Sequence, residues 1–243
     1  MSEMQQPGNT IEPHVVEAGR GWDWIVSGFA LFKKQPGIWV LIFIVLAVIC
    51  ILVSMVPLIG SLANILLIQI FAGGLMLGCK ALDTSNELEV GHLFAGFQRS
   101  TNSLVLLGVL AIVGWIVVLT PGLLIVGGGS FLGALHGGLP GVATFGLSFV
   151  LAALVVLALS VPLYMALWFA PALIVFHNLE PVAALKASFA ACLRNIVPFL
   201  VYGVVIMLLS VVAAIPFGLG FLVLGPVIIA SIYTAYRDIF FTA

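Results

Sequence analysis

Three stretches of this chain contain no Asp, Glu, Lys or Arg: residues 35–79, 100–179 and 195–236, which are 45, 80 and 42 residues long. A helix crossing a bilayer takes about 20 mostly apolar residues, so each of the two shorter runs holds one hairpin, out and back. Soluble domains carry roughly 25% charged residues, whereas this 243-residue chain has 7%, against 63% hydrophobic. So few charges cannot cover a water-soluble fold. Barrel strands alternate apolar and polar residues over roughly ten positions, and runs such as Ile42-Phe43-Ile44-Val45-Leu46-Ala47-Val48-Ile49 do not alternate. The class is therefore all-α, a polytopic membrane protein.

Proline with glycine ends helices, which puts the hairpin turns at Pro57-Leu58-Ile59-Gly60 and Pro216-Phe217-Gly218-Leu219-Gly220. In the long middle run, Gly127-Gly128-Gly129-Ser130 through Gly137-Gly138-Leu139-Pro140-Gly141 reads as a loop. It divides a third span near 104–126 from a fourth near 145–176, with Pro121, Pro162 and Pro171 as kinks. Six transmembrane helices result; eight is the alternative for the 100–179 region.

Every basic residue (Arg20, Lys33, Lys34, Lys80, Arg99, Lys186, Arg194 and Arg237) lies before the first span, between spans two and three, between four and five, or after the sixth. Loops that retain Lys and Arg stay cytoplasmic, so both termini are expected inside a bacterial inner (plasma) membrane. All nine acidic residues fall on the same side. No basic stripe points to nucleic acid. Residues 1–19 are polar and acidic, the reverse of a cleavable signal, and are expected to form a disordered cytoplasmic tail before a single helical membrane domain, 20–243. Cys50 falls in a span, while Cys79 and Cys192 lie near the cytoplasmic boundary, where thiols stay reduced. Their spacing suggests neither a disulfide nor a metal site.

Self-similarity adds a further layer. Phe29-Ala30-Leu31-Phe32-Lys33, Phe94-Ala95-Gly96-Phe97-Gln98-Arg99 and Phe189-Ala190-Ala191-Cys192-Leu193-Arg194 each end in a basic residue just before a span. Apolar residues recur there at helical spacing: Trp22, Ile25, Phe29, Phe32; then Val90, Leu93, Phe94, Phe97; then Val182, Leu185, Phe189, Leu193. Beside a membrane such an amphipathic helix lies in the interface. Thr84-Ser85-Asn86-Glu87 offers caps for the second helix, and Glu180-Pro181 starts the third. The expected unit is thus a cytoplasmic interfacial amphipathic helix followed by a two-span hairpin. It gives three pseudo-repeated hairpins, about 21–83, 84–178 and 179–238. Aligning Lys80 with Arg237 superposes Gly74 on Ser231 and Gly78 on Ala235, two small-xxx-small faces suited to close helix packing. Chance recurrence of small residues in a chain with 26 glycines is the alternative.

Ionisable groups inside a membrane usually mark a proton or ion path, and these spans hold none, which argues against a carboxylate-driven pump. The polar groups Ser54, Asn64, Gln69, Thr120, Ser160, Tyr164, Tyr202, Ser210 and Tyr233 are expected to be satisfied by neighbouring helices or backbone. At the cytoplasmic boundary, Lys80 with Asp83 and Arg237 with Asp238 are expected to close the first and third hairpins as snorkelling anchors. Lys33, Lys34, Lys80, Arg99, Lys186, Arg194 and Arg237 are candidate contacts to lipid or a partner. Trp22, Trp24, Trp39 and Trp168 fit an aromatic belt and Trp115 a packed core. None of His14, His92, His136 and His177 has a partner at metal-ligand spacing, and no catalytic motif stands out, so no cofactor, metal or enzymatic activity is expected.

Three blocks carry a resemblance: Gly21-Trp22-Asp23-Trp24-Ile25 with residues 32–37; Gly78-Cys79-Lys80-Ala81-Leu82-Asp83 with residues 89–97; and Trp168-Phe169-Ala170-Pro171-Ala172-Leu173 with residues 188–195 and Tyr236-Arg237-Asp238. They resemble a family of proteobacterial inner-membrane proteins of unassigned activity, and more distantly the helical membrane domain attached to some glycerophosphodiester phosphodiesterases. The resemblance implies the membrane domain alone and carries none of the phosphodiesterase chemistry. The leading expectation is a non-enzymatic accessory or scaffold protein. Its partners would be membrane lipids and another membrane protein or a second copy of itself. The alternative is a transporter or channel for a small neutral or amphiphilic solute, gated by the fourth span and the glycine-rich loop. A lipid-modifying enzyme using His136 or His177 is a third class.

Overall fold

The computed structural model describes residues 12–57, 59–85 and 87–241, and no strand occurs among them. The helices are α1 (Arg20–Lys34), α2 (Pro36–Ser54), α3 (Ile59–Thr84), α4 (Gly96–Arg99), α5 (Thr101–His136), α6 (Gly138–Trp168), α7 (Ala170–His177), α8 (Pro181–Arg194), α9 (Ile196–Ala214) and α10 (Phe221–Phe240), with a 3₁₀ turn at Val90–Phe94 before α4. Six segments are long and apolar enough to cross a membrane: α2, α3, α5, α6 with α7, α9 and α10. They pair as three hairpins, α2 with α3, α5 with α6 and α9 with α10.

The glycine-rich stretch is where the expected loop fails. The third span continues as helix to His136, and Gly137 and Gly138, at φ 63° and 51°, make the turn. Away from water every backbone group needs an internal partner, so a glycine run among apolar residues gains more by staying helical than by opening. The glycines serve contact instead. A Cβ on Gly133 would stand 2.8 Å from the Gly141 carbonyl oxygen, so the two legs touch backbone to backbone. The fourth span breaks at Phe169, and Pro171 opens α7 rather than kinking a continuous helix. Pro121 and Pro162 lie inside helices, and the last turn falls at 215–220 as expected. Leu58, in the first expected turn, lies outside the described residues. At 1.5 Å per residue the 36-residue α5 is about 54 Å long, against about 30 Å of hydrocarbon. Even at a tilt of about 40° it is longer than the hydrocarbon is thick.

The core gathers at one end of the bundle. Residues 69–82 of α3 and 224–240 of α10 are the most heavily buried parts of the spans, and α2 buries only Trp39 and Ile42. At the other end large side chains point outward, among them Met55, Leu124, Leu139 and Phe217. All the charged residues described belong to the packed end, while the turns at 55–57, 137 and 215–220 carry none.

Burial on the short helices differs from the apolar stripes. In α1 the protein-facing side is Gly21, Trp24, Ile25, Gly28, Leu31 and Phe32, and Trp22 and Phe29 face out. In α8 it is Pro181, Ala184, Ser188, Ala191 and Cys192, with Val182 and Leu193 exposed. Close helix approach needs small side chains, which the inner faces supply as Gly21 and Gly28 of α1, beside its large Trp24, Ile25, Leu31 and Phe32, and as Ala184, Ser188 and Ala191 of α8. The segment expected as a second amphipathic helix is instead the 3₁₀ turn plus α4. It is capped by Glu89 and His92 in a reciprocal capping box, and not from 84–87; there Thr84 and Ser85 donate back to the carbonyls of Lys80 and Ala81 at the end of α3. Asn86 lies outside the described residues.

Within the stretch expected as a disordered tail, Pro13, His14 and Val16 are hydrogen-bonded to the packed end; residues 1–11 lie outside the description. Asn195, 1% exposed, accepts from the Val16 N–H at 2.8 Å and donates to the His14 carbonyl at 2.9 Å. The His14 N–H donates to Ile239 at 2.8 Å and Arg194 donates to the Pro13 carbonyl at 3.3 Å. Losing a buried hydrogen-bonding partner costs about 1–3 kcal/mol. Asn195→Leu is therefore expected to release this segment without unfolding the spans, read as faster deuterium uptake at 14–17 with little change at 69–82. Unchanged uptake at 14–17 would show that Asn195 is not what holds it.

Candidate interface at the charged end

Three of the four small-xxx-small positions, Gly74, Gly78 and Ser231, lie against the short segments. A Cβ on Gly74 would meet the carbonyl oxygens of His92 at 2.5 Å and Leu93 at 2.7 Å, and one on Gly78 would meet Leu88 and His92. On α10, Ser231 is fully buried, and the Gly28 position of α1 lies 2.7 Å from its backbone nitrogen. Ala235 is 2% exposed.

Charges pair differently from the expected hairpin closures. Arg237 pairs with Asp83, from α10 to α3. Asp238 accepts from Arg20 Nε at 2.8 Å and Nη2 at 2.5 Å, and from Trp24 Nε1 at 2.8 Å. That carboxylate's hydrogen bond, opposed by partial burial, raises the Arg20 guanidinium above its ordinary value. An acid paired with a neighbour in sequence would leave Trp24, which is buried, without an acceptor for its indole N–H. The tertiary pairing satisfies it. Trp24 and Trp39 are thus core residues rather than belt residues, only Trp22 of that trio being exposed, and Trp115 is half-buried, edge-on to Tyr164 at 5.3 Å.

Most span hydroxyls bond locally as expected. Ser54, Thr120 and Ser210 return to the carbonyl four residues back, Ser160 to the carbonyl three back, and Tyr202 meets Ser231 at 2.8 Å.

The seven candidate cations do not converge on one ring. Arg237 and Arg194 are engaged within the protein. Lys34 donates to the Leu82 carbonyl at 3.1 Å, and Lys33 lies over Phe29. Lys186 is exposed on α8. Lys80 and Arg99 alone share a cleft, about 670 Å³, between the end of α3 and the 90–99 segment. A second cleft of about 660 Å³ lies between α10 and α1, where Arg20 and Arg237 face Asp23 and Asp238. The partners of Arg20, Asp238, Trp24 and Asn195 escaped sequence reasoning, since they lie more than 170 residues away. His92 had a local signal, three residues after Glu89.

Six apolar helices folded back through charge-free turns, with the charges gathered at one end, define a multi-pass helical membrane protein. The chain belongs to the family of a probable inner membrane protein of Burkholderia thailandensis, to which it is 34% identical over 213 residues, covering 84% of this chain and 77% of that protein. It is accordingly a multi-pass protein of the inner membrane. No family model matches the chain, and no solved structure does. The likeness to the phosphodiesterase membrane domain has no counterpart in this match.

Proposed function

We propose that this inner-membrane protein is a non-enzymatic accessory or scaffold component whose charged end faces the cytoplasm and holds lipid or a membrane partner. The observation that carries this reading is the segregation of charge. The N-terminal segment, the end of α10 and every described charged residue occupy one end, and the opposite turns are uncharged. By the preference of Lys- and Arg-bearing loops for the cytoplasm, both termini lie inside. Burial pushes the Cys192 thiol up to about 12, so it stays protonated at neutral pH and serves packing.

Three repeated units account for the architecture. Each short interfacial segment packs against the hairpin before it: 90–99 on α2 and α3, α8 on α5, α6 and α7, and α1 on α9 and α10, which closes a ring. Gly74 and Ser231, equivalent when Lys80 is aligned with Arg237, both receive the backbone of such a segment. Large outward residues such as Trp22, Phe29, Phe94, Phe97 and Val182 then lie in the membrane interface beside the cations, the arrangement of a lipid-contacting surface.

The test is crosslinking in native membranes, purification in mild detergent, and mass spectrometry of copurifying protein and lipid. A stoichiometric protein partner or one enriched anionic lipid is expected, reduced by charge reversal at Lys33, Lys34, Arg99, Lys186 and Arg194. A homo-oligomer with a small solute bound between its spans, indifferent to those reversals, would replace this reading with transport.

A further inference from the structure

We infer that the cleft between α3 and the 90–99 segment is a binding site for the phosphate of an anionic, hydroxyl-bearing phospholipid headgroup. The inference rests on reading this end as a lipid-contacting cytoplasmic surface, and it names the ligand and the place.

The cleft supplies what a phosphodiester needs. Lys80 and Arg99, both exposed, line it with His92 and Gln98. The Nζ of Lys80 sits over the Phe176 ring, 5.4 Å from its centroid, and so is held at the wall. The backbone N–H of Glu89 donates to His92 Nδ1 at 3.0 Å. A ring nitrogen that accepts leaves the proton on the other, so His92 Nε2 is a fixed donor. The hydroxyls of Thr84 and Ser85 donate to backbone carbonyls, which leaves their oxygens as acceptors for headgroup hydroxyls. Leu77 and Phe176 give the cleft an apolar wall. Its volume of about 670 Å³ falls in the usual range for ligand sites, roughly 300–1,000 Å³.

No acidic side chain is among the described residues lining this cleft. Asp83, three residues beyond Lys80, is held by Arg237, and the Glu89 carboxylate receives the His92 backbone N–H in the capping box. The corresponding junction between α10 and α1 is an internal control. There Asp23 and Asp238 stand among the lining cations, and residues of the N-terminal segment close over it. One junction neutralises its own cations and the other leaves them for an anion from outside.

The full chain in nanodiscs containing phosphatidylglycerol, phosphatidylethanolamine or phosphatidylcholine, with the retained lipid counted by native mass spectrometry, tests the assignment. Phosphatidylglycerol is expected to be retained selectively. The exposed double variant Lys80→Gln/Arg99→Gln should lower its occupancy by about tenfold or more, the scale of two cations near a bilayer, while keeping the melting temperature. The control Lys33→Gln/Lys186→Gln, which removes two cations of the same surface from outside the cleft, should lower it less. Loss in the control with no loss in the cleft variant would overturn the cleft and keep the broader lipid-contact reading. Copurification of a protein partner with no selective lipid would also overturn the cleft. If neither lipid nor protein were held, both readings would fall. Free glycerol 3-phosphate binding the detergent-purified protein as tightly as the lipid would assign the cleft to a soluble phosphate instead.

Discussion

Gly74→Val is expected to lower the midpoint of thermal unfolding in detergent by about 6–12 °C, the shift that roughly 3 kcal/mol produces in a chain of this size. A Cβ at this position would stand 2.5 Å and 2.7 Å from two carbonyl oxygens of the 90–94 turn, and backbone cannot swing aside as a side chain can. The converse contact is as close: a Cβ on Gly96 would lie 2.2 Å from the Ile70 carbonyl. Overpacking typically costs 1–3 kcal/mol, and here it would also lift the segment that walls the anion cleft. Gly127→Ala and Gly128→Ala should act in the opposite direction. Nothing lies within 4 Å of either position, both are helical, and alanine is better than glycine in a helix by about 1 kcal/mol. Equal shifts at Gly74 and Gly127 would refute the close packing of α3 against the 90–94 turn.

The second large effect is expected at Asp238. Its carboxylate accepts two hydrogen bonds from Arg20 and one from the buried Trp24 indole. Asp238→Ala removes all three and leaves the indole N–H unpaired, a loss of about 2–3 kcal/mol. Arg20→Ala should cost less, about 1 kcal/mol or below, since the arginine side chain is 44% exposed and exposed ion pairs contribute little. Asp238→Asn, which keeps an oxygen for Trp24, should fall between the two. Stability curves in detergent rank the three variants. An Arg20→Ala effect as large as Asp238→Ala would mean that the arginine, and not the indole, is the partner that matters.

These two sites mark where sequence reasoning stopped. Gly74 and Gly78 were legible as small residues one turn apart, but not that they lie against residues 88–94 rather than another long helix. Asp238 stood beside Arg237 in the sequence and pairs instead with Arg20, 218 residues away. Lys80 and Arg99 were legible as boundary cations. That these two share a cleft, while Arg237 and Arg194 are engaged internally, depends on how three hairpins close on one another. In the 127–141 stretch, glycine signalled a turn across fifteen residues, and the chain turns at Gly137 and Gly138 because apolar surroundings hold the rest in helix.

By itself the sequence determined the class, the number of spans and the segregation of charge, because the transfer of charged and apolar groups between water and lipid is a property of each segment and needs no neighbour. Only the tertiary structure decided which face of α1 and α8 turns inward, which acid meets which base, and which cleft keeps its cations unpaired. Those outcomes depend on how closely two backbones approach and on which buried N–H still needs an acceptor. Both are relations between segments far apart in the chain, and local composition carries no record of them.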